Sequence, residues 1–412
     1  MPAAAAISAS IRTRAAAMMV QRSAPSGASW SSPSTKAAPG SRPARRRATV
    51  DLPALIGPLT QMMSMARSSP RCAVLARRGA LVRRRSGRPP KAGERATRNP
   101  QPAERLENAL DIRYRQGRIT GMRMIGVFDS GHGGLTVLRA LTRHLPRQRF
   151  LYLGDHGHAP YGNREPEEIY RLTVAAVERL FGQGCRLVVL ACNTAAATGL
   201  RRLQQTWLPQ HYPDRRVIGV LVPMVEAITG VPWMADIRTG RHRGEPRTVA
   251  IFATRHTVRT GAFVEEIGKR APEITVVQQA CPVLVTLIEQ AAPEAVLRRA
   301  VRRYSALLMR QLRGVPPDAV ILGCTHYPLV ADLFAAALPP GVEVLSQPDI
   351  TARSLKAYLE RHPEFDTAGG DEAPPEFFTT GDAARVSTLA TRFYGRPALF
   401  HPIGAEALAT AR

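Results

Sequence analysis

The chain has 412 residues, 57 Lys plus Arg, 32 Asp plus Glu and a formal charge of +25. Residues 1–120 hold 23 of the basic and 5 of the acidic residues, so most of the excess charge sits in the first third. The remainder has ordinary charge and enough apolar content for a large core, which excludes a wholly unfolded basic protein. Five cysteines at positions 72, 185, 192, 281 and 324, none spaced as Cys-x-x-Cys, argue against a zinc ribbon, a thioredoxin-type site and a disulfide scaffold. No apolar run approaches the roughly 18 residues of a membrane span. The best candidate, Leu52 to Ala66, is interrupted by Pro53 and Pro58.

Residues 1–121 are rich in Ala, Arg, Ser and Pro and include Arg45-Arg46-Arg47 and Arg83-Arg84-Arg85. Such composition buries too little apolar surface to offset chain entropy, so disorder is expected. The bland reading is a segment outside the folded, working protein, through an over-extended reading frame that starts ahead of Met122 and Met124. An Arg- and Ser-rich, acid-poor leader also fits an organellar transit peptide. A nucleic-acid-binding tail is the sharper alternative. It is the weaker one, since Trp30 and Tyr114 are the only aromatic residues available for stacking.

From Met124 onward, strands and helices alternate. Met124 to Phe128 is a short apolar run, followed by Asp129-Ser130-Gly131-His132-Gly133-Gly134 and an amphipathic segment from Leu135 to Leu145. Arg149 to Gly154 reads as a strand, and Pro166 opens a helix. Arg186 to Ala191 is a continuous apolar run that ends in Cys192-Asn193-Thr194, before a helix through Leu203. Val217 to Val222 reads as another strand. In the second half, strands are expected at Val249–Phe252, Ile274–Gln278, Ala319–Leu322, Val342–Leu345 and Phe377–Thr379. The helices between them are Thr257–Arg270, Glu294–Arg313, Ile350–Glu360 and Asp382–Phe393. Continuous apolar strands separated by helices mean parallel sheet covered on both faces. Ligands then bind beyond the carboxyl ends of the strands, where the polar clusters fall.

Two segments resemble each other: Leu187 to Thr194 and Asp318 to His326. Each is an apolar strand, a small residue, a cysteine, then polar residues entering a helix. A thiol at such an elbow lies near backbone N–H groups and the positive end of a helix, and both favour the thiolate. Asn193, Thr194 and Thr325 can donate to a substrate carboxylate there. His326 is placed to tune Cys324, and Asp129 to orient Cys192 or take its proton. Cys185 and Cys281 read as small buried hydrophobes. A thiol pair can form a disulfide, bind a metal or transfer protons. No sequence-local set of four metal ligands appears, and two symmetric thiols suggest proton transfer on opposite faces of one carbon.

Residues 124–395 resemble the glutamate racemases of the cofactor-independent amino-acid racemase family. The likeness rests on Ile125 to Gly131 with Gly133 to Val137, on Tyr152 to Asp155 with Pro160-Tyr161-Gly162, and on Ala191-Cys192-Asn193-Thr194. Ala280-Cys281-Pro282 with Glu289, Leu322 to Leu329, and Phe377 to Asp382 follow in the family's order. The resemblance implies an α/β protein of two similar parallel-sheet domains, flavodoxin-like and related by a pseudo-twofold, with the active site in the cleft between them. The expected division is 1–121 as a basic, disordered extension, 122–220 as the first part of domain 1, 221–332 as domain 2, and 333–400 as a segment returning to domain 1.

By the same resemblance, Cys192 acts on D-glutamate and Cys324 on L-glutamate, without pyridoxal phosphate, other cofactor or metal. Asp129 would support Cys192; His326 and Glu289 would support Cys324. Asp129, Ser130, Tyr161, Gly162, Asn193, Thr194, Thr325 and His326 match the family's substrate positions. The implied product, D-glutamate, serves peptidoglycan synthesis in the cytoplasm. A symmetric homodimer is common in the family, though the sequence carries no interface signature. Departures from the family pattern are His132, the Asp155-His156-Gly157-His158-Ala159 stretch, Val222-Pro223 and Thr260. The added histidines are expected to be loop residues facing solvent.

Overall fold

The computed structural model describes residues 123–233 and 245–403, all within one compact unit of the chain. The expected disorder and nucleic-acid binding of residues 1–121, and Cys72, lie outside the described residues.

The chain builds two parallel sheets. In the first, β1 (Ile125–Asp129) lies between β2 (Phe150–Gly154) and β3 (Leu187–Leu190), and β4 (Arg216–Gly219) flanks β3. The second sheet repeats this order. Its β5 (Arg247–Ala253) lies between β6 (Ile274–Ala280) and β7 (Ala319–Gly323), and β8 (Glu343–Ser346) flanks β7. Late strands β9 (Glu376–Thr379) and β10 (Phe400–Pro402) extend the first sheet beside β2. Every pairing is parallel.

The apolar runs are continuous because both sheet faces are covered. All residues of β1, β2, β3 and β7 are buried. Ile125 and Val127 enter one apolar cluster, Phe128 a second. Burying each such side chain is worth about 1.5–3 kcal/mol, which outweighs any local turn preference in these stretches. Register then fixes the elbows. Phe128 pairs with Leu190 and Phe252 with Leu322, so Cys192 and Cys324 leave equivalent strands of the two sheets.

Helices follow the strands. They include α1 (Gly134–His144), α2 (Pro166–Gly182) and a helical run over 193–211, α3, with π-type turns at Ala196–Leu200 and Leu203–Trp207. Pro209, which lacks an N–H, follows the second wide turn. Three expectations shift. The strand expected over Val217–Val222 ends at Gly219, and Leu221 opens α4 (Leu221–Thr229). Pro223 fits the first turn of that helix, where N–H groups have no partner in the helix. The helix expected over Thr257–Arg270 is two, α5 (Arg255–Thr260) and α6 (Ala262–Arg270), parted by Gly261 at φ +67°. Strand β8 belongs to the second sheet, so the chain crosses back after Ser346 and not at residue 333.

Besides α4, three elements have no counterpart in the expected series: α7 (Leu284–Glu289), α9 (Ala331–Ala335) and β10. Between the first two runs α8 (Glu294–Gln311). Then α10 (Gln347–Arg361) packs against α1, and α11 (Ala383–Tyr394), capped by the Asp382 carboxylate on Arg385 N, closes the series. Among the described residues, no helix is long and apolar enough to cross a membrane.

Candidate active site

The ends of β1, β3 and β7 bring the two thiols into one polar network. Cys192 is the N-cap of α3, and its Sγ accepts from Ala195 N at 3.5 Å. Ser130 Oγ, just past β1, lies 3.4 Å from the same sulfur. Asp129 is 1% exposed. Its Oδ1 accepts from Gly131 N at 2.8 Å and its Oδ2 from Thr325 Oγ1 at 3.3 Å. That last bond joins the Cys192 side of the site to the Cys324 elbow.

The second thiol has a different neighbour. Cys324 Sγ stands 3.9 Å from His326 Nδ1, and His326 Nε2 lies 3.0 Å from Glu289 Oε1 at the end of α7. Burial disfavours a charged His326, but its hydrogen bonds to Cys324 and Glu289 outweigh this and raise it to about 10. Burial likewise works against the Glu289 carboxylate, yet contacts with His132 and His326 pull it below the usual range. At neutral pH, Cys324 therefore faces an imidazolium held by a carboxylate.

Cys192 departs from the expectation of a thiolate at both elbows. Burial, then the Asp129 carboxylate, push it up to about 12, against the smaller pull of Ser130 and the Ala195 N–H. Desolvation and a like charge exceed what one helix turn supplies. Asp129 is itself raised by burial, opposed by His326 and by the Gly131 and Gly134 amides. The two sulfurs thus have different neighbours: one is a protonated thiol beside a buried carboxyl group, the other stands next to a cation.

The remaining expected site residues divide. Ser130 and Thr325 are in the network. Thr194 Oγ1 meets Thr254 Oγ1 at 3.3 Å. Asn193 does not offer its side chain: its amide exchanges two hydrogen bonds with Gln347, at 2.5 and 2.9 Å. The main-chain N–H groups of Asn193 and Thr194, in the first turn of α3, are left as donors. Tyr161 is also occupied, donating to Asp155 Oδ2 at 2.6 Å. Thr380 Oγ1 donates to Asp155 Oδ1 at 2.6 Å. This anchors the Pro160-Tyr161-Gly162 turn, and Gly162 lies against Thr254. Cys185 and Cys281 are buried, as expected of small hydrophobes.

Four site residues escaped the sequence reading: Gln347, Thr254, His132 and His156. Thr254 had a signal, because Phe252-Ala253-Thr254 occupies in the second repeat the place of Phe128-Asp129-Ser130. The added histidines are not all solvent-facing. His132 is 6% exposed, and His156 is pushed down to about 3 by burial and by neighbouring His132. The glycine-lined turns around them leave room for buried rings.

Comparison with known proteins gives the same picture. The Asp/Glu/Hydantoin racemase family matches residues 134–355. A glutamate racemase of Phenylobacterium zucineum is 45% identical over 283 residues, covering 68% of this chain and 99% of that protein. The crystal structure of a glutamate racemase isoform from Bacillus anthracis is 29% identical with a TM-score of 0.59, covering 69% of this chain and 98% of its own. That of Escherichia coli glutamate racemase, in complex with L-glutamate and the activator UDP-MurNAc-Ala, is 27% identical with a TM-score of 0.51, covering 69% and 99%. With a relative matched over nearly its whole length, the chain belongs to the Asp/Glu/Hydantoin racemase family, on its glutamate racemase branch, and is an isomerase.

Proposed function

We propose that the protein interconverts L- and D-glutamate by proton transfer between two thiols, with no cofactor or metal, and supplies D-glutamate for peptidoglycan. The observation that carries this reading is the pair of cysteines at equivalent strand ends, joined through Asp129 and Thr325. The bound L-glutamate of the Escherichia coli relative supports the substrate. The family likeness supports a cytoplasmic enzyme that assembles as a homodimer.

In the L-to-D direction, Cys324 is the base. His326, protonated and held by Glu289, stabilises its thiolate. As Cys324 removes the α-proton, the Cys192 thiol delivers its own proton to the opposite face. In the reverse direction, Cys192 is the base, and Asp129, whose affinity for a proton burial raises, assists its deprotonation. Negative charge develops on the substrate carboxylate in both directions. The Ser130 hydroxyl and the first-turn N–H groups of α3 are fixed donors for it, while Thr325 spends its one hydroxyl proton on Asp129.

The full chain, given L- or D-glutamate, should bring optical activity to zero from either side. The enantiomers have equal free energy, so kcat/KM must be equal in the two directions. In D2O, early product should carry deuterium while remaining substrate does not, because different thiols face the two sides. Cys192→Ser and Cys324→Ser should each lower kcat/KM by about 10³-fold or more. A folded protein that leaves both enantiomers unchanged defeats the reading, and faster turnover of aspartate reassigns the substrate.

A further inference from the structure

His132 lies in the turn between β1 and α1, outside the thiol network, yet it is buried and held from several sides. Its Nε2 is 3.3 Å from the carbonyl of Val386 on α11. Its face stacks on Phe393 of the same helix with ring centroids 5.3 Å apart. The ring of His156 meets it edge-on at 4.2 Å. A ring fixed this way has one direction left for Nδ1. That atom points at Glu289 Oε1, 3.7 Å away, ion-pair distance rather than a hydrogen bond. The same oxygen receives His326 Nε2 at 3.0 Å.

Glu289 is the partly wet member of this set, its side chain 30% exposed against 7% for each of the two histidine side chains. A carboxylate in that position has solvent-facing rotamers to adopt. Two imidazoles converging on one oxygen disfavour them; because His132 Nε2 already donates to the Val386 carbonyl, Nδ1 holds the carboxylate when it carries a proton of its own. His156 completes the wall. Its Nδ1 contacts Gly154 O and Thr379 Oγ1, at 3.1 and 2.9 Å, and its buried Nε2 has no partner. The ring fits only because Gly154 carries no side chain, since a Cβ there would overlap it, and a Cβ at Gly381 would press on His156 Cβ.

We propose that His132 is a positioning residue for the Cys324 half of the reaction: clamped by Val386, Phe393 and His156, it fixes Glu289 Oε1 on His326 and so aligns His326 with Cys324. The inference rests on the two-thiol reading and adds to it a layer behind the reacting groups. It assigns His132 no contact with substrate. Aligning groups are expected to act through the residue they hold, which makes their effects non-additive.

The test is a double-mutant cycle in the full chain with His132→Phe, Glu289→Gln and the pair. Phenylalanine keeps the stacking on Phe393 and removes both nitrogens. Each single variant should lower kcat/KM about tenfold or more, and the pair should be no slower than Glu289→Gln alone. Losses that multiply, or near wild-type turnover in His132→Phe, overturn the proposal, because either result makes the ring a packing element. A second readout needs no racemisation. In a Cys192→Ser background, iodoacetamide labelling of Cys324, followed by peptide mass spectrometry, should slow by the same factor in His132→Phe, Glu289→Gln and the pair. Labelling unchanged by His132→Phe also overturns it. A wild-type chain inert toward glutamate, with labelling slowed as expected, defeats the glutamate reading and leaves the alignment standing.

Discussion

Thr325 and Asp129 meet across the two sheets, the threonine hydroxyl donating to Asp129 Oδ2 at 3.3 Å. One residue follows Cys324 directly and the other belongs to the surroundings of Cys192. The contact therefore ties the electrostatics of one thiol to the placement of the other. It also leaves a carboxylate almost wholly out of water, which is costly without full pairing.

Asp129→Asn separates the functional need for that charge from its structural cost. The carboxyl is raised above 3.8, so the folded state binds its proton more tightly than the unfolded chain does. Stability then falls as pH rises from 3.8 through the folded value, and the ionised group remains a burden above it. Asparagine is neutral throughout and keeps an acceptor for Gly131 N. Thermal melts at pH 7 should show a Tm equal to or above wild type, while kcat/KM drops about 10²-fold or more. Labelling of Cys192 at pH 8 should speed up, since a charge that suppresses its thiolate is gone. A Tm several degrees lower at pH 7 would contradict the account.

Glu289→Gln reports on the other thiol. His326 is raised from 6.5 to about 10, so its ion pair contributes stability in full below 6.5 and loses it as pH rises through about 10. Glu289 is lowered, so its contribution is present above 4.5 and lost as pH falls below that value. The wild-type chain should therefore lose Tm from neutral pH toward pH 10, and the variant should show a flatter alkaline limb. Loss of a hydrogen bond to a charged group costs about 1.5–3 kcal/mol, which lowers Tm at pH 7 by about 5 °C. In kinetics, the alkaline limb of kcat/KM should move to lower pH, because His326 gives up its proton sooner. An unshifted limb would remove His326 from the Cys324 side of the mechanism.

The strands and the two elbows were legible because they obey local rules. Leu187–Leu190 and Ala319–Gly323 are continuous apolar runs with nowhere to sit but a covered parallel sheet. What stayed hidden depends on partners far along the chain. Asn193 turns to Gln347, 154 residues later, and Tyr161 turns inward to Asp155. The break between α5 and α6 lies in one left-handed glycine, Gly261, inside an otherwise helical pattern. The acidity of Cys192 is hidden because the helix terminus and Asp129 are visible in sequence, whereas the burial of the thiol and of the carboxyl group beside it is a tertiary fact. His132 was discounted for the same reason: glycines on either side suggest an open loop until Phe393 and His156 close over it.

Gly133→Ala tests how tightly the Cys324 elbow is packed against the first sheet. Gly133 has φ −56° and ψ −40°, ordinary right-handed geometry, so its backbone raises no objection to alanine. The obstacle is space: a Cβ there would overlap Thr325 Oγ1 and His326 Nδ1. Both are side-chain atoms, so the fold can yield by moving them. Yielding breaks the Thr325–Asp129 contact and swings His326 from Cys324. The variant should fold and melt within a few degrees of wild type, yet lose about 10²-fold in kcat/KM, since small displacements of reacting groups are that costly. Gly268→Ala is the matched control. It lies in α6 with open space around the new methyl, and should gain up to about 1 kcal/mol of stability with activity unchanged. Equal activity in the two variants would mean that the elbow has slack, and that the alignment of His326 on Cys324 is not set by contact with the first sheet.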